Sequence, residues 1–236
     1  MKHGLGRNPS TPDSRDYRLS AFMPRQLGDL SGTKEWNYAG TLLDQGDTPH
    51  CPGFGAANFG NNPPIEDNFT NADGDRFYYL CKDIDGEPRK ENGSSTRTVG
   101  KMLKQVGRIS AYAFAANTDE MTYWLLNNGP VMCGTDWRTD MFTPDANNVI
   151  HPTGDIVGGH FYLVNGKYSN GLYRIHNSWD NYWGINGEAL ISIPDMAFLL
   201  RSWGECMTAV ELPIGALPSP ENKGCLAQIL SKLGRG

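Results

Sequence analysis

The chain changes character near its middle, and this change constrains the fold more than any other feature of the sequence. Up to residue 127 the apolar side chains follow helical spacing, as Met121, Trp124 and Leu125 do at positions i, i+3 and i+4. Beyond Asn128-Gly129-Pro130 they form short runs of strand type, broken by Gly, Asn and Pro. Helices followed by antiparallel strands predict an α+β fold of two lobes, and a cleft between two lobes is a natural place for an active site.

Turn residues and periodicity set the expected bounds of the individual elements. Helices are predicted over residues 52–60, 77–83, 98–106 and 119–127, and strands over 131–133, 159–165, 171–175 and 188–193. Ser94 or Ser95 is expected to cap the third helix, and Gly107 to end it. Residues 61–75 are predicted to be a loop because Asn, Pro, Asp and Gly dominate them.

The sequence divides into four segments. Residues 1–35 are rich in turn residues and are expected to form an arm that lies on the body of the protein. Residues 36–115 are predicted to form a mainly helical lobe, and residues 116–213 a mainly β lobe. Residues 214–236 begin with a Pro-rich link and continue into a short amphipathic helix over 225–233. That helix is predicted to dock on the body, the alternatives being a second copy or another protein.

Charge and hydropathy argue against several classes of partner. The net charge of −5 disfavours a surface for nucleic acid or for an anionic membrane. No apolar run approaches the roughly 18 residues that span a bilayer. The basic residues 1–7 are not followed by an apolar core, so we expect no signal peptide and a cytoplasmic or viral location.

The cysteines favour reduced thiols over disulfides or a metal site. There are five, and none belongs to a CxxC or a Cys/His cluster of zinc spacing: Cys51, Cys81, Cys133, Cys206 and Cys225. Without an export signal reduced thiols are expected, although two disulfides are arithmetically possible if one cysteine is a nucleophile. The acidic turn at residues 73–75 lacks the spacing of an EF-hand loop. We therefore expect no metal and no cofactor.

Cys51 stands at the predicted start of a helix and is the candidate nucleophile. Pro52 is a good first helical residue, since its missing N–H would have no partner there. The positive end of the helix dipole favours the thiolate over the thiol. Gln45, six residues upstream, can aim its amide at the oxygen that turns negative when a thiolate attacks a carbonyl. The alternative for Cys51 taken alone is a buried structural cysteine.

A nucleophilic cysteine needs a base, and His160 is the best placed of the five histidines. It follows Gly158 and Gly159 and opens an apolar run, so it is expected at the mouth of a strand, where glycines leave room for a backbone or a substrate. Asn177 ends the next strand-like run and can accept the ring N–H of His160 through its amide oxygen. Trp179 can shield that hydrogen bond from water and so strengthen it.

Three motifs, in this order, resemble the papain-like cysteine peptidases. They are Gln-x5-Cys at residues 45–51, Gly-Gly-His at 158–160 and Asn-Ser-Trp-x3-Trp-Gly-x2-Gly at 177–187. The resemblance covers roughly residues 36–212, and residues 77–109 look more like the bacterial and bleomycin-hydrolase-like branches than the lysosomal cathepsins. It implies a two-lobe fold, with a helical lobe, a β-barrel-like antiparallel lobe and the active-site cleft between them.

By this resemblance the chain is a cysteine endopeptidase that hydrolyses peptide bonds through a thioester acyl-enzyme. Cys51 is implied to be the nucleophile, His160 the general base and acid, and Asn177 the residue that orients His160. Gln45 and the backbone N–H of Cys51 are implied to form the oxyanion hole. Trp179 is implied to cover the His–Asn pair and to border the substrate.

The resemblance describes the substrate contacts more coarsely. Trp183 is implied to help build the primed side of the cleft, and Gly159 to leave room for the substrate. Gly93 and Ser94 are candidates for lining the pocket beside the nucleophile, which in this family is mainly hydrophobic. The family's usual cysteine three residues before the nucleophile is Thr48 here, which removes a typical disulfide. No inhibitory propeptide is expected, because only about 35 residues precede the body.

Two other functions remain open at this stage. An acyl-transfer enzyme, such as a transamidase, a ligase or a cell-wall peptide hydrolase, would use the same acyl-enzyme. A non-catalytic binding or structural module would suit the helix over 225–233. The joint presence of Gln45, Cys51, His160 and Asn177 argues against such a module, because it has no chemical need for all four. Either enzyme would take a peptide or protein as its substrate.

Overall fold

A computed structural model describes residues 3–38 and 40–210 as a mixed α+β protein. Its helices are α1 (Cys51–Asn61), α2 (Asn71–Ile84), α3 (Thr96–Gln105), α4 (Thr118–Asn127) and α5 (Ile193–Arg201). Its strands are β1 (Arg7–Asn8), β2 (Tyr17–Arg18), β3 (Lys34–Glu35), β4 (Ser94–Ser95), β5 (Ala111–Ala115), β6 (Val131–Arg138), β7 (Ile156–Lys167), β8 (Leu172–His176), β9 (Glu188–Ser192) and β10 (Glu205–Val210). The predicted helix over 225–233 and its docking lie outside the described residues.

One open sheet of eight strands dominates the described part of the chain. Its order is β2-β5-β10-β6-β7-β8-β9, with β3 pairing β7 beside this path. The pairs are antiparallel except for β2 with β5. The sheet does not close on itself, so the β part of the α+β fold is an open sheet rather than a barrel. A second, two-stranded sheet pairs β1 in parallel with β4, joining the N-terminal arm to the start of α3.

Helix ends follow local capping chemistry. The backbone N–H of Thr98 donates to Ser95 Oγ at 3.2 Å, which makes Ser95 the cap of α3. At α2 the backbone N–H of Thr70 donates to the Asp73 carboxylate at 2.9 Å within a capping box. The predicted loop over 61–75 is therefore wrong for residues 71–75, because the capping box starts a helix through turn-type residues.

The sequence-based expectations lacked the two-residue strands β1 to β4 and also three longer elements, β5, α5 and β10. α5 starts where Ser192 Oγ accepts the N–H of Asp195 at 3.1 Å. β10 lies between β5 and β6, so it connects a strand that precedes α4 with the strands that follow it. No helix in the described ranges is long and apolar enough to cross a membrane.

The alternation of β7 divides the core into two clusters. Tyr162 and Val164 pack into a cluster that contains Trp179. Phe161 and Leu163, which point to the other face, pack into a cluster that contains Cys51. Cys51 and Trp179 therefore pack against β7 from opposite faces of the sheet.

The glycines of α1 allow this fully buried helix to approach α2 closely. A Cβ on Gly53 would lie 2.2 Å from the carbonyl oxygen of Gly74, and a Cβ on Gly74 would lie 2.9 Å from the ring of Phe54. Neither helix can carry a larger side chain at these points without separating from its neighbour. The contact fixes the start of α1, and with it the position of Cys51.

Candidate active site

Cys51 is the first residue of α1 and is completely buried. The backbone N–H groups of Phe161 and Gly6 favour its thiolate. Burial raises the pKa of the Cys51 thiol to about 12, and these N–H groups offset only part of that effect. The sequence-based expectation of a thiolate is therefore wrong for this state of the protein, because desolvation outweighs the helix dipole.

His160 lies inside β7, four residues after the strand begins, rather than at its mouth. Its Nε2 is 2.7 Å from Asn177 Oδ1. The imidazole stacks on Trp179 with ring centroids 4.3 Å apart, and it meets Trp137 edge to face with ring centroids 4.9 Å apart. Burial lowers the pKa of His160 to about 3, against the opposing effect of the hydrogen bond to Asn177. Within the described residues, Nδ1 has no hydrogen-bond partner.

Asn177 is fixed on three sides, so its amide oxygen has a defined position. Its backbone N–H donates to the carbonyl of Gly187 at 2.9 Å, and its own carbonyl accepts the side chain of Asn58 at 3.3 Å. Its Oδ1 also accepts the backbone N–H of Ser178 at 2.8 Å. With the oxygen held in this way, the Nε2 of His160 is the proton donor and Nδ1 is left as the proton acceptor.

Gln45 is held by Ser178 at both its backbone and its side chain. The backbone N–H of Gln45 donates to the Ser178 carbonyl at 2.9 Å, and Ser178 Oγ donates to Gln45 Oε1 at 2.7 Å. The Gln45 Nε2 donates to the carbonyls of Thr48 at 2.8 Å and of Gly4 at 3.1 Å. Sequence reasoning missed the role of Ser178, although its position between Asn177 and Trp179 in the motif was a signal.

Three tryptophans form a buried cluster next to His160. Trp179 packs edge to face on Trp137 and on Trp183, with centroids 5.2 and 5.7 Å apart. Trp183 is buried, and its Nε1 donates to the carbonyl of Met141 at 3.3 Å. Trp183 therefore supports Trp179 from below, and Trp137 is a further contact of His160 that the sequence did not reveal.

Residues 3–8, which we call the cleft segment, cover this site. The ring of His3 stacks on Trp179 at 4.5 Å, and the backbone N–H of Gly4 donates to the carbonyl of Gly46 at 3.0 Å. The carbonyl of Gly6 accepts the backbone N–H of Ser94 at 2.9 Å. The arm that was expected to lie on the body therefore runs, over these residues, through the site itself.

Glycines on both sides make this close approach possible. A Cβ on Gly93 would lie 2.1 Å from the carbonyl oxygen of Gly6, and a Cβ on Gly159 would lie 2.1 Å from that of Arg7. On the cleft segment, a Cβ on Gly6 would lie 1.9 Å from the carbonyl oxygen of Pro49. Gly93 and Gly159 therefore both lie against the backbone of the cleft segment.

The cleft segment is not arranged for attack by the thiol. The N–H of Gly6, which favours the Cys51 thiolate, belongs to the Leu5–Gly6 peptide group. The Gln45 amide instead holds the carbonyl of Gly4, which belongs to the preceding peptide group. The two side chains therefore act on different peptide groups of the cleft segment, whereas attack on a carbonyl held by the Gln45 amide would need both at one peptide group.

Comparisons with known proteins agree on the fold. No protein-family model matches the sequence. The structure is similar to xylellain, a cysteine protease from Xylella fastidiosa, with a TM-score of 0.69 and 17% identity over 89% of this chain and 98% of that one. It is also similar to procathepsin B S9 from Trypanosoma congolense, with a TM-score of 0.66 and 15% identity over 87% of this chain and 85% of that one. The chain therefore has the two-lobe fold of the papain-like cysteine proteases.

Proposed function

We propose that this protein is a papain-like cysteine peptidase that its own cleft segment holds in a latent state. The observation that carries the proposal is the buried His160–Asn177 hydrogen bond under Trp179, with His160 next in β7 to Phe161, whose backbone N–H favours the Cys51 thiolate. The two neighbours of similar fold, xylellain and procathepsin B S9, are cysteine proteases or their precursors by name. Peptides or proteins are the proposed substrates.

Catalysis would begin when the cleft segment leaves and a substrate carbonyl takes its place. His160 Nδ1 accepts the Cys51 proton, and the thiolate attacks the carbonyl carbon. Gln45 Nε2, which now bonds Gly4, stabilises the negative oxygen. The C–N bond then breaks, His160 protonates the leaving amine, and a thioester remains on Cys51. Water, deprotonated by His160, hydrolyses the thioester and restores the thiol.

Latency follows from the burial of both reacting groups. A thiol with its pKa raised to about 12 does not give its proton to an imidazole with its pKa lowered to about 3. Removal of the cleft segment would admit water to both groups. The thiol pKa would fall and the imidazole pKa would rise, since desolvation is the largest cause of each shift. Displacement of the cleft segment is therefore the proposed activating step.

Hydrolysis of fluorescently labelled casein tests the proposal. The assay uses the full chain with Gly6→Ala, because the added Cβ would overlap the carbonyl of Pro49 and expel the cleft segment. In this background Cys51→Ala or His160→Ala should reduce turnover by at least about 10³-fold. Cys81→Ala, which changes another fully buried cysteine, should retain turnover. Unchanged hydrolysis in the Cys51→Ala variant would refute a thiol mechanism.

A non-catalytic peptide-binding module is the second candidate, because the site is occupied and Cys51 is fully buried. It predicts that no variant that frees the cleft hydrolyses any peptide. If hydrolysis is found, product analysis with an added amine separates a peptidase from an acyl-transfer enzyme. Kinship with the bacterial and bleomycin-hydrolase-like branches and a cytoplasmic or viral location stay predictions from the sequence.

A further inference from the structure

The imidazole of His50, the residue directly before Cys51, lies between two carboxylates. Its Nδ1 is 2.7 Å from Asp75 Oδ1, and its Nε2 is 2.6 Å from Glu91 Oε2. The His50 side chain is buried, whereas the two carboxylates are about half exposed. We call these three side chains the histidine bridge. It joins the start of α1 to α2 and to the connection between α2 and β4.

The histidine bridge requires a proton on each ring nitrogen of His50. An ionised carboxylate only accepts hydrogen bonds, and a neutral imidazole has a single N–H donor. A neutral ring would therefore place a lone pair against a carboxylate oxygen at one of these two short distances. Against the opposing effect of burial, hydrogen bonds from Tyr79 and His50 and the nearby charge of Lys82 lower the pKa of Glu91, which keeps this carboxyl ionised. The geometry therefore describes an imidazolium.

Two tyrosines of α2 complete the surroundings of the ring. His50 stacks on Tyr78 with ring centroids 4.0 Å apart and meets Tyr79 edge to face with centroids 5.3 Å apart. The Tyr79 hydroxyl donates to Glu91 Oε1 at 2.7 Å. Burial raises the pKa of Tyr78 to about 12, and the hydrogen bond to Glu91 raises the pKa of Tyr79, so both phenols stay neutral. In the described part of the chain, the charges that face the ring are therefore those of Asp75 and Glu91.

The histidine bridge ends close to the backbone that holds the cleft segment. The carbonyl of His50 accepts two backbone N–H groups at 2.9 and 3.1 Å, so His50 is part of the first turn of α1. Glu91 lies three residues before Ser94, whose N–H donates to the Gly6 carbonyl at 2.9 Å. We call this backbone the Ser94 edge. The histidine bridge therefore fixes the Ser94 edge relative to Cys51.

Other contacts also hold the connection between α2 and β4. The Tyr78 hydroxyl accepts the N–H of Gly93 at 3.1 Å and donates to the carbonyl of Lys90 at 2.8 Å. Lys82 Nζ donates to the carbonyl of Gly93 at 2.8 Å. Loss of the histidine bridge should therefore loosen the Ser94 edge without unfolding it.

We propose that His50 is a positioning residue, whose positive charge between Asp75 and Glu91 holds the Ser94 edge beside Cys51 for the binding of a substrate backbone. The proposal rests on the proposed peptidase function. If the ring loses one proton it keeps a single donor, so one carboxylate separates from it and the Ser94 edge loosens. The charge of His50 thereby controls how tightly the site holds the cleft segment or a substrate.

Hydrogen exchange of the Ser94 amide tests the positioning role without turnover. The protein is the full chain, and NMR at neutral pH compares Ser94 with the amides of β7. We expect His50→Gln and Glu91→Gln to raise the relative exchange rate of Ser94 at least about 10-fold, because the edge opens more often. Asp83→Asn, at an exposed carboxylate of α2, should leave it unchanged. A Ser94 rate that is unchanged, or that rises only in step with β7, would overturn the positioning role.

Nitrogen-15 NMR of labelled histidine tests the charge. In the full chain at neutral pH, both ring nitrogens of His50, assigned by their loss in the His50→Gln chain, should have the chemical shifts of protonated nitrogen. Glu91→Gln should produce a fraction of neutral ring at the same pH, because the amide carries no charge to stabilise the cation. Asp83→Asn is again the control. A neutral His50 ring in the wild-type chain would contradict the proposal.

Kinetics in the Gly6→Ala chain connect the bridge to turnover. Adding His50→Gln should raise the KM for labelled casein about 5-fold and change kcat by less than about 2-fold, since α1 still holds Cys51. As the pH rises above neutral, the KM of the Gly6→Ala chain should approach that of the His50→Gln chain. A histidine with a merely structural role would give no such convergence. His151→Gln, at a half-exposed histidine, should leave KM unchanged.

The two possible failures are distinguishable. Hydrolysis with unchanged Ser94 exchange and unchanged KM in the His50→Gln chain would refute the positioning role alone. Faster Ser94 exchange in that chain, without hydrolysis by any chain, would refute the proposed function and leave His50 as a residue that positions the cleft segment.

Discussion

At the scale of single residues, burial decides the protonation of the two reacting groups. The Cys51 pKa is raised to about 12 and the His160 pKa lowered to about 3, so the described state holds a neutral thiol and a neutral imidazole. The start of a helix and nearby N–H groups favour a thiolate, but they act within a site without solvent. Under the proposed function, the same side chains become reactive when water or a substrate replaces the cleft segment.

Ser178→Ala tests how Gln45 is positioned. The hydroxyl of Ser178 donates to Gln45 Oε1 at 2.7 Å, so its loss frees the amide to rotate away from the developing negative charge. In the Gly6→Ala chain we expect kcat to fall about 10-fold with little change in KM, and Gln45→Ala to lower kcat about 10²-fold or more. Ser169→Ala, at an exposed serine, is the control. A change in KM alone would contradict a role for Ser178 in transition-state stabilisation.

The buried His160 makes stability depend on pH. The unfolded chain protonates this imidazole near its ordinary pKa of 6.5, whereas burial delays protonation in the folded state to about pH 3. The free energy of unfolding should therefore fall as the pH drops from 6.5 towards 3, by an amount on the order of a few kcal/mol.

Urea midpoints across this pH range measure the effect in three chains. His160→Gln should flatten the decline, and His151→Gln, at a half-exposed histidine, should not. An identical decline in the wild-type and His160→Gln chains would show that burial of this imidazole does not cause it.

At the scale of elements, the cleft segment covers the candidate active site, and the proposed function makes it the control on access. It is bonded along its length by Gln45, Gly46 and Ser94, and near its end the buried Arg7 side chain pairs with the partly buried Glu205. Breaking an ion pair of this kind leaves one charge buried without its partner. These contacts explain how a short strand of two residues can stay in place across a cleft.

Gly6→Ala is expected to release the cleft segment. A Cβ at this position would lie 1.9 Å from the Pro49 carbonyl oxygen, and neither backbone can yield at such a distance. The rate of casein hydrolysis by the full chain should rise at least about 10-fold over wild type, because the occluded population decreases. Gly32→Ala, where a Cβ would only reach ordinary contact at 3.5 Å, should leave the rate unchanged. Equal rates in all three chains would mean that the cleft segment does not limit activity.

The sequence was informative where a local signal decides the structure. Periodicity predicted α4, and a serine predicted the cap of α3. The missed elements depend on partners far away in the chain: β10 is formed by pairing with both β5 and β6.

The site was only partly predictable for the same reason. Residue type and position in the motifs identified Gln45, His160 and Asn177 as candidate catalytic residues. The sequence did not predict the cleft segment. Its glycines are needed only because the folded chain places them against the carbonyls of Thr48 and Pro49. The burial that reverses the expected ionisation of Cys51 likewise depends on that segment.

At the scale of the whole molecule, the site lies where two apolar clusters meet along β7. One cluster positions Cys51 at the start of α1, and the other supports the Trp179 ring on which His160 stacks. Such an arrangement holds Cys51 and His160 on a helix and a strand that pack into the core, and the proposed function requires only the cleft segment to move. The account's central claim is therefore an activated thiol that becomes available when this segment leaves.

The most direct measurement is the rate at which a papain-type epoxide labels each cysteine at neutral pH, read by mass spectrometry of peptides. In the Gly6→Ala chain we predict single-site labelling of Cys51, at least about 10²-fold faster than at any other cysteine and lost when His160→Ala is added. The wild-type chain should label slowly at every cysteine. If Cys51 of the Gly6→Ala chain reacts no faster than Cys81, Cys133 or Cys206, the site contains no activated thiol and the account is wrong.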